Sequence, residues 1–292
     1  MSNNNKEKKN TNPEGASLRG YLNEDYRIFH IVSHETKEIG THYHEFHKII
    51  FLVSGKLDYI IEGNTYEITP GDILLVPSYS IHKPVFDPDV ECERFVIWIR
   101  DTDDEYTKKP FSEVQNSKYF LVPSISYEYN SLISTISEFF ECFEKIFSDE
   151  GALSEYYKKA EFVKLMVSIT RILTGSGDKA VSSIGTPVTS DTIINEVINH
   201  INKNLADDLS APTLAELFHF STSRLEHRFR TAAGCSLHNY VRQKRLVNAS
   251  RQIMNGVPIR QAAIQSGFSD YSSFYRAYVK MFGHMPSGQS SS

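Results

Sequence analysis

The sequence predicts an α+β chain in three parts: a small N-terminal β-barrel, a helical hairpin, and an all-α C-terminal domain of two helix-turn-helix units. Three observations carry that reading. Between Leu22 and Arg100, short β-branched and aromatic runs alternate with turn residues at near-regular spacing, about eight strands in all, which argues for a barrel or jelly roll. From Asn130 to Gly175 the apolar residues change to spacings of three and four, the period of amphipathic helices. From Leu209 to Pro286 one pattern of short helix, tight turn and second helix occurs twice. The expected boundaries are a disordered tail over 1–17, the barrel over 18–128, the hairpin over 129–174, a linker over 175–190 and the C-terminal domain over 191–292. A chain of 292 residues suits about two domains, and a hydrophobic content of 40% is ample for their cores.

The opening stretch, MSNNNKEKKNTNPEG, is polar and has no apolar centre, so neither a signal peptide nor an anchor is expected. No run of eighteen apolar residues occurs, so no membrane partner is expected either. Cys92, Cys142 and Cys235 are odd in number and widely spaced, with no C-x-x-C pair; a reducing cytoplasm fits them. Seven of these strands fall at Arg27–Val32, Phe46–Val53, Leu57–Ile61, Thr65–Ile68, Ile73–Val76, Ile81–Phe86 and Arg94–Ile99. Ser54-Gly55, Glu62-Gly63-Asn64 and Pro70-Gly71 supply turns between them.

His42-Tyr43-His44 precedes the longest apolar strand, and Pro70-Gly71-Asp72 leads on to Pro77 and His82. Strand alternation puts His42, His44, Phe46 and Lys48 on one face and His47 on the other. These residues resemble the cupin barrel. In metal-binding cupins an H-x-H pair, a following Glu and a later His bind the ion, and His42, His44 and His82 match the three histidines. Lys48 holds the carboxylate position, and an ammonium neither ligates nor tolerates a nearby cation. The reading therefore assigns no metal and no cofactor, and favours an organic ligand, an anion or a sugar. Its binding residues would be His42, His44, Lys48, Tyr59, His82 and Trp98. A metal site and a merely polar barrel mouth stay open as alternatives. No Ser-His-Asp, P-loop or nucleotide-type glycine motif stands in a convincing context, so no enzyme activity is expected.

In the hairpin, Leu132, Ile133, Ile136, Phe139, Phe140, Phe143, Ile146 and Phe147 mark a first helix. Ala160, Val163, Met166, Val167, Thr170 and Leu173 mark a second, with Phe162, Leu165, Ile169 and Ile172 widening its apolar face. So much apolar surface has to be covered by the barrel or by a second copy. GSGDKAVSSIGTPVTS, residues 175–190, reads as a flexible linker, and Asp191–Asn204 as the helix that opens the C-terminal domain.

Ser210 caps a helix over Ala211–Phe218, and Ser221 caps a second over Thr222–Ala233, which Gly234 ends. Ser236–Met254 is one long helix. After it, Ile259, Ala262 and Ala263 start the second unit, Gly267 makes the turn, and Ser269 caps a helix over Asp270–Phe282. Two groove-sized helices on one rod suit adjacent major grooves of B-DNA, which recur about every 34 Å on one face. The segment from Leu209 onward carries ten Lys and Arg against three Asp and Glu, a net of +7 in a chain of net −5, as expected where one part faces phosphates.

Leu214-Ala215, Ser221, Leu225, Phe229, Gly234, Tyr240, Arg245, Ala249, Ile259, Ala263, Gly267-Phe268, Phe274, Arg276, Gly283 and Pro286 resemble the AraC-type (AraC/XylS) transcription regulators, over about eighty residues. Tyr278-Val279 departs from the family's Phe-Lys, and Gln289 from its Arg. The resemblance implies a dimer formed by the hairpin, and duplex DNA, RNA polymerase and a small-molecule effector as partners. It implies base contacts by Ser223, Glu226 and His227 in the first unit, with Thr222 and Arg230 beside them, and by Tyr271, Ser272, Tyr275 and Arg276 in the second. Arg228, Arg242, Lys244, Arg251 and Lys280 are expected at phosphates, and Arg245 at an internal structural position.

Overall fold

The computed structural model describes residues 22–117 except 23, 36 and 103, then 121–122, 138–145 except 141 and 144, 151–174, and 187–286 except 283. Seven strands build the N-terminal domain: β1 (Tyr26–Ser33), β2 (Phe46–Ser54), β3 (Leu57–Ile61), β4 (Asn64–Ile68), β5 (Ile73–Val76), β6 (His82–Phe86) and β7 (Cys92–Arg100). Two more are only two residues long, β8 (Leu121–Val122) and β9 (Thr189–Ser190). They form two antiparallel sheets, ordered β1-β7-β2-β5-β8 and β6-β3-β4-β9. The cupin-like fold is thus two sheets around a shared core, not one closed ladder. Leu57, Tyr59, Ile61, Tyr66 and Ile68 of the smaller sheet are fully buried with Ile50, Leu52 and Val96 of the larger.

β3 and β4 alternate buried and half-buried residues, as strands with one covered face do. β2, β5 and β7 are buried nearly throughout, because helices cover the other face of their sheet. One of these, α1 (Glu105–Ser117), lies where the sequence reading has only barrel; Pro110 inside it and its charged first half conceal the period. Phe111 of α1 stacks on His47 with ring centres 3.9 Å apart. The second hairpin helix, α2 (Ser154–Leu173), buries Phe162, Leu165, Met166, Ile169 and Ile172. Of the stripe expected to mark this helix, Met166 is buried, Val163, Thr170 and Leu173 are half-buried, and Ala160 and Val167 face outward. The first hairpin helix lies largely outside the described residues, though Phe139 and Phe140 join the core. Thr189 and Ser190, at the end of the stretch read as a linker, pair with Asn64 and Thr65 of β4.

The C-terminal domain has six helices among the described residues: α3 (Thr192–Lys203), α4 (Ala211–Leu217), α5 (Thr222–Ala233), α6 (Leu237–Met254), α7 (Ile259–Gln265) and α8 (Tyr271–Phe282). Asp191, Ser210, Ser221 and Ser236 accept backbone N–H bonds at the starts of α3, α4, α5 and α6. Gly234 ends α5 in the left-handed conformation, φ 71°. The cap of α8 is Asp270 rather than Ser269: its carboxylate accepts the Ser273 N–H at 2.7 Å. α6 serves two cores. Leu237, Tyr240 and Val241 in its first half pack with α3, α4 and α5. Leu246, Ala249 and Ile253 in its second half pack with α7 and α8.

Candidate functional site

The sandwich holds three histidines together. His42 and His82 exchange backbone hydrogen bonds of 2.9 and 2.8 Å, an isolated bridge that ties the segment before β2 to the start of β6. Their side chains and that of His44 are all buried, and one nitrogen from each lies within 4.8 Å of the others. Backbone carbonyls fix two of the tautomers. Nδ1 of His42 donates to Gly40 O at 2.7 Å, and Nδ1 of His82 to Ser80 O at 2.8 Å. Since a carbonyl only accepts, each Nδ1 carries the proton and each Nε2 presents a lone pair. Burial, the Lys48 charge and the neighbouring imidazoles hold His44 well below the usual histidine range. Burial, His42 and Lys48 do the same for His82.

The other expected pocket residues are here too. Lys48 is buried and donates to Tyr59 Oη at 3.4 Å. Tyr59 lies 5.7 Å from the His82 ring, and Trp98 6.2 Å from His44. Strand alternation holds for His47, which points away: its Nδ1 accepts the Ser78 N–H at 2.8 Å, and its Nε2 faces Asp101 at 3.3 Å. Ser78, His47 and Asp101 are therefore neighbours, but the Ser78 hydroxyl donates to Asp101 and not to His47. The imidazole bonds the Ser78 backbone N–H and not its hydroxyl, so the trio is a structural network and not a Ser-His-Asp nucleophile triad.

Three buried imidazoles that each bring a ring nitrogen within 4.8 Å of the others fit a divalent transition metal better than they fit an anion. The sequence reading weighs Lys48 against a metal; the orientation of His42 and His82, visible only in the folded chain, weighs for one.

In the C-terminal domain, Thr222, Ser223, Glu226, His227 and Arg230 of α5 are exposed, as are Tyr271, Ser272, Arg276 and Lys280 of α8; Tyr275 is half-buried. Arg242, Arg245, Arg276 and Lys280 line a basic cleft of about 410 Å³ between α6 and α8. His227 lines a second cleft together with Gly63, Thr65 and Ser190 of the sandwich, so its side chain sits at the domain boundary.

Three residues expected at phosphates are engaged by other residues of the protein. Arg228 makes a two-pronged bond to Asp191 at 2.9 and 2.8 Å. Lys244 donates to Glu62 at 2.7 Å, and Arg251 lies over the Tyr79 ring at 4.3 Å. Arg245 has the structural role expected of it, donating to Leu205 O at 2.9 Å and Asp207 O at 2.7 Å. Sequence reasoning missed Glu62 entirely; nothing local distinguishes it from any turn glutamate.

A family model described as a helix-turn-helix domain matches residues 214–289, and one described as a cupin domain matches residues 29–98. The probable transcriptional regulator LumQ of Photobacterium leiognathi is 24% identical over 246 residues, 84% of this chain and 89% of LumQ. The HTH-type transcriptional activator RhaR of Pectobacterium atrosepticum is 23% identical over 253 residues, 84% of each protein. The solved structure of ToxT from Vibrio cholerae covers 90% of this chain and 96% of its own at 18% identity, with a TM-score of 0.36, too loose a superposition to carry an argument.

Proposed function

We propose that this chain, an AraC-type transcription regulator with an N-terminal cupin domain, activates transcription from duplex sites read by α5 and α8 under the control of a small molecule sensed by the sandwich. The observation that carries the reading is one helix, α6, built into the cores of both helix-turn-helix units while α5 and α8 keep polar and basic faces exposed. Thr222, Ser223, Glu226 and Arg230 supply hydroxyl, carboxylate and guanidinium groups for base edges in one groove. Tyr271, Ser272, Tyr275 and Arg276 do so in the next, with Lys280 at phosphate. His227 takes part where the domain boundary leaves room. RhaR is named an activator, which supports that direction here, with RNA polymerase as the further partner.

At the sensor end His42, His44 and His82 would hold the metal ion. When bound, such an ion supplies a Lewis-acidic centre for an oxygen-bearing effector. Lys48, Tyr59 and Trp98 orient that effector and complement its charge. Elemental analysis of the purified protein tests the site. Stoichiometric first-row metal, lost in His44→Ala, supports it; a metal-free protein whose melting point rises with an organic anion alone returns the site to the ligand favoured by the sequence.

A selection for bound duplexes from a random pool, run with and without a metabolite panel, tests the whole reading. Enrichment of a two-part site spanning adjacent grooves is expected. No enrichment from the intact protein under any condition would overturn it.

A further inference from the structure

The sandwich and the C-terminal domain meet along one stripe of α6. Tyr240, Lys244, Val247, Arg251 and Met254 recur at four, three, four and three residues, so they share one side of the helix. Each touches the sandwich. The Tyr240 hydroxyl and the Lys244 ammonium both donate to the Glu62 carboxylate, which also accepts the Ile81 N–H at 2.8 Å. Val247 packs with Tyr43 and Tyr79, Arg251 lies over Tyr79, and the Tyr79 hydroxyl reaches the Met254 sulfur at 3.9 Å. His238, Val241, Arg242 and Arg245, which line the basic cleft, lie about half a turn away on the other side. The sandwich therefore sits on the back of the rod and leaves that cleft open.

The grip spans both helix-turn-helix units. Thr41 donates to Gly234 O at 3.1 Å, at the end of α5, and Glu62 holds the first half of α6. Tyr43 meets Phe282 of α8 with ring centres 5.9 Å apart, and Ser250 donates to Glu45 at 3.3 Å. The gripping residues alternate with the pocket residues. Along one segment Thr41, Tyr43 and Glu45 face the rod while His42 and His44 face each other; along the second, Tyr79 and Ile81 face it while His82 faces the histidines.

We propose that the sandwich is a brace: it fixes the angle between the two DNA-reading units by clamping the back of α6, and the Glu62–Lys244–Tyr240 contact is its positioning bond. The clamp is made by the reverse side of the two histidine-bearing segments, so whatever fills the pocket bears on the clamp through one peptide unit. Glu62 and Lys244 are each only about one-sixth exposed, which shields their attraction from salt. The proposal rests on the reading of the chain as a duplex-binding regulator and names how its sensor reaches its DNA-binding half.

The test compares the selected duplex with the same duplex lengthened by one base pair between its two parts. That insertion turns one groove by about 34° and moves it by about 3.4 Å relative to the other. A braced protein pays for the mismatch, and its affinity should fall about a hundredfold. Glu62→Gln removes the charge from one side of the contact and Lys244→Met the donor from the other, and both leave the pocket and the basic cleft intact. Each should cut the insertion penalty to about tenfold, while a duplex holding only one part of the site is bound as by wild type. An insertion penalty unchanged in both variants overturns the brace and leaves the regulator reading standing. Failure of wild type and both variants to bind any duplex overturns both.

Discussion

At the residue scale, the two histidines held neutral make acid stability a direct readout of the pocket. His44 and His82 titrate well below the usual histidine value because burial and neighbouring positive charge oppose protonation. In the unfolded chain they titrate near about 6.5. Below that pH the unfolded state binds protons that the folded state refuses, so stability falls as pH drops through about 6.5 and is fully present above it. Both histidines should therefore make the protein less stable at pH 5.5 than at pH 7.5. Denaturant midpoints at pH 7.5 and 5.5 check this; His82→Gln should show a weaker pH dependence than wild type, and an identical dependence would refute the assignment. Arg276 belongs to the same scale. It is exposed on α8 and lines the basic cleft, so Arg276→Ala should relax base preference at one position by about 1–3 kcal/mol in a binding-site selection. Side-chain direction along β2 was legible because alternation is a strict rule, and it separates Lys48 from His47 correctly. The tautomers of His42 and His82 were not, since they depend on carbonyls brought up by the fold. Nor was the α8 cap, where Ser269 and Asp270 are chemically equivalent choices one residue apart.

At the element scale, the turn before α8 shows why Gly267 and Arg245 go together. Gly267 has φ 90°, and a Cβ there would run into Leu205 O and the Arg245 guanidinium. That guanidinium ties the chain after α3 to α6 through the two carbonyls of Leu205 and Asp207. Gly267→Ala should therefore cost at least about 2 kcal/mol, combining left-handed strain with the collision. Arg245→Lys cannot make both bonds and should cost about 1.5–3 kcal/mol while leaving the salt dependence of DNA binding unchanged. A shallower salt slope would mean that Arg245 contacts phosphate after all. The helices from α3 to α8 were readable because their signals are local: a capping hydroxyl or carboxylate, a terminal glycine, apolar residues at threes and fours. α1 was hidden by Pro110, and β9 is a strand only because Asn64 and Thr65 lie beside it. Its two residues, Thr-Ser, are too few to show the alternation that marks a strand.

At the scale of the whole molecule, what remained unreadable is how the parts meet, because the clamp on α6 joins residues as far apart as Glu62 and Lys244. The same scale holds the question of a second copy. α2 is twenty residues long, so roughly 30 Å of helix runs across the surface. Its buried face is spent on Tyr26 and the sandwich core, with Phe162 stacked on Tyr26 at 3.9 Å. The opposite face still shows Tyr156 and Val167, 75% and 42% exposed, in a shallow groove with Ala160 and Val163 between Lys159 and Arg171. A helix with one apolar face packed and a second left in water has reason to meet its own symmetric copy, where the same stripe serves both sides. Two DNA-binding halves joined this way gain affinity for paired sites through effective concentration, with no new DNA contact. Val167→Glu places a charge in the middle of that stripe and touches neither the core nor α6. Sedimentation should then show monomer where wild type shows dimer, and affinity for a duplex with two copies of the site should fall by about a hundredfold toward that for a single copy. A wild-type protein that sediments as monomer at every concentration, with paired sites bound no better than single ones, would remove α2 from the mechanism and leave each chain to act through its own two grooves.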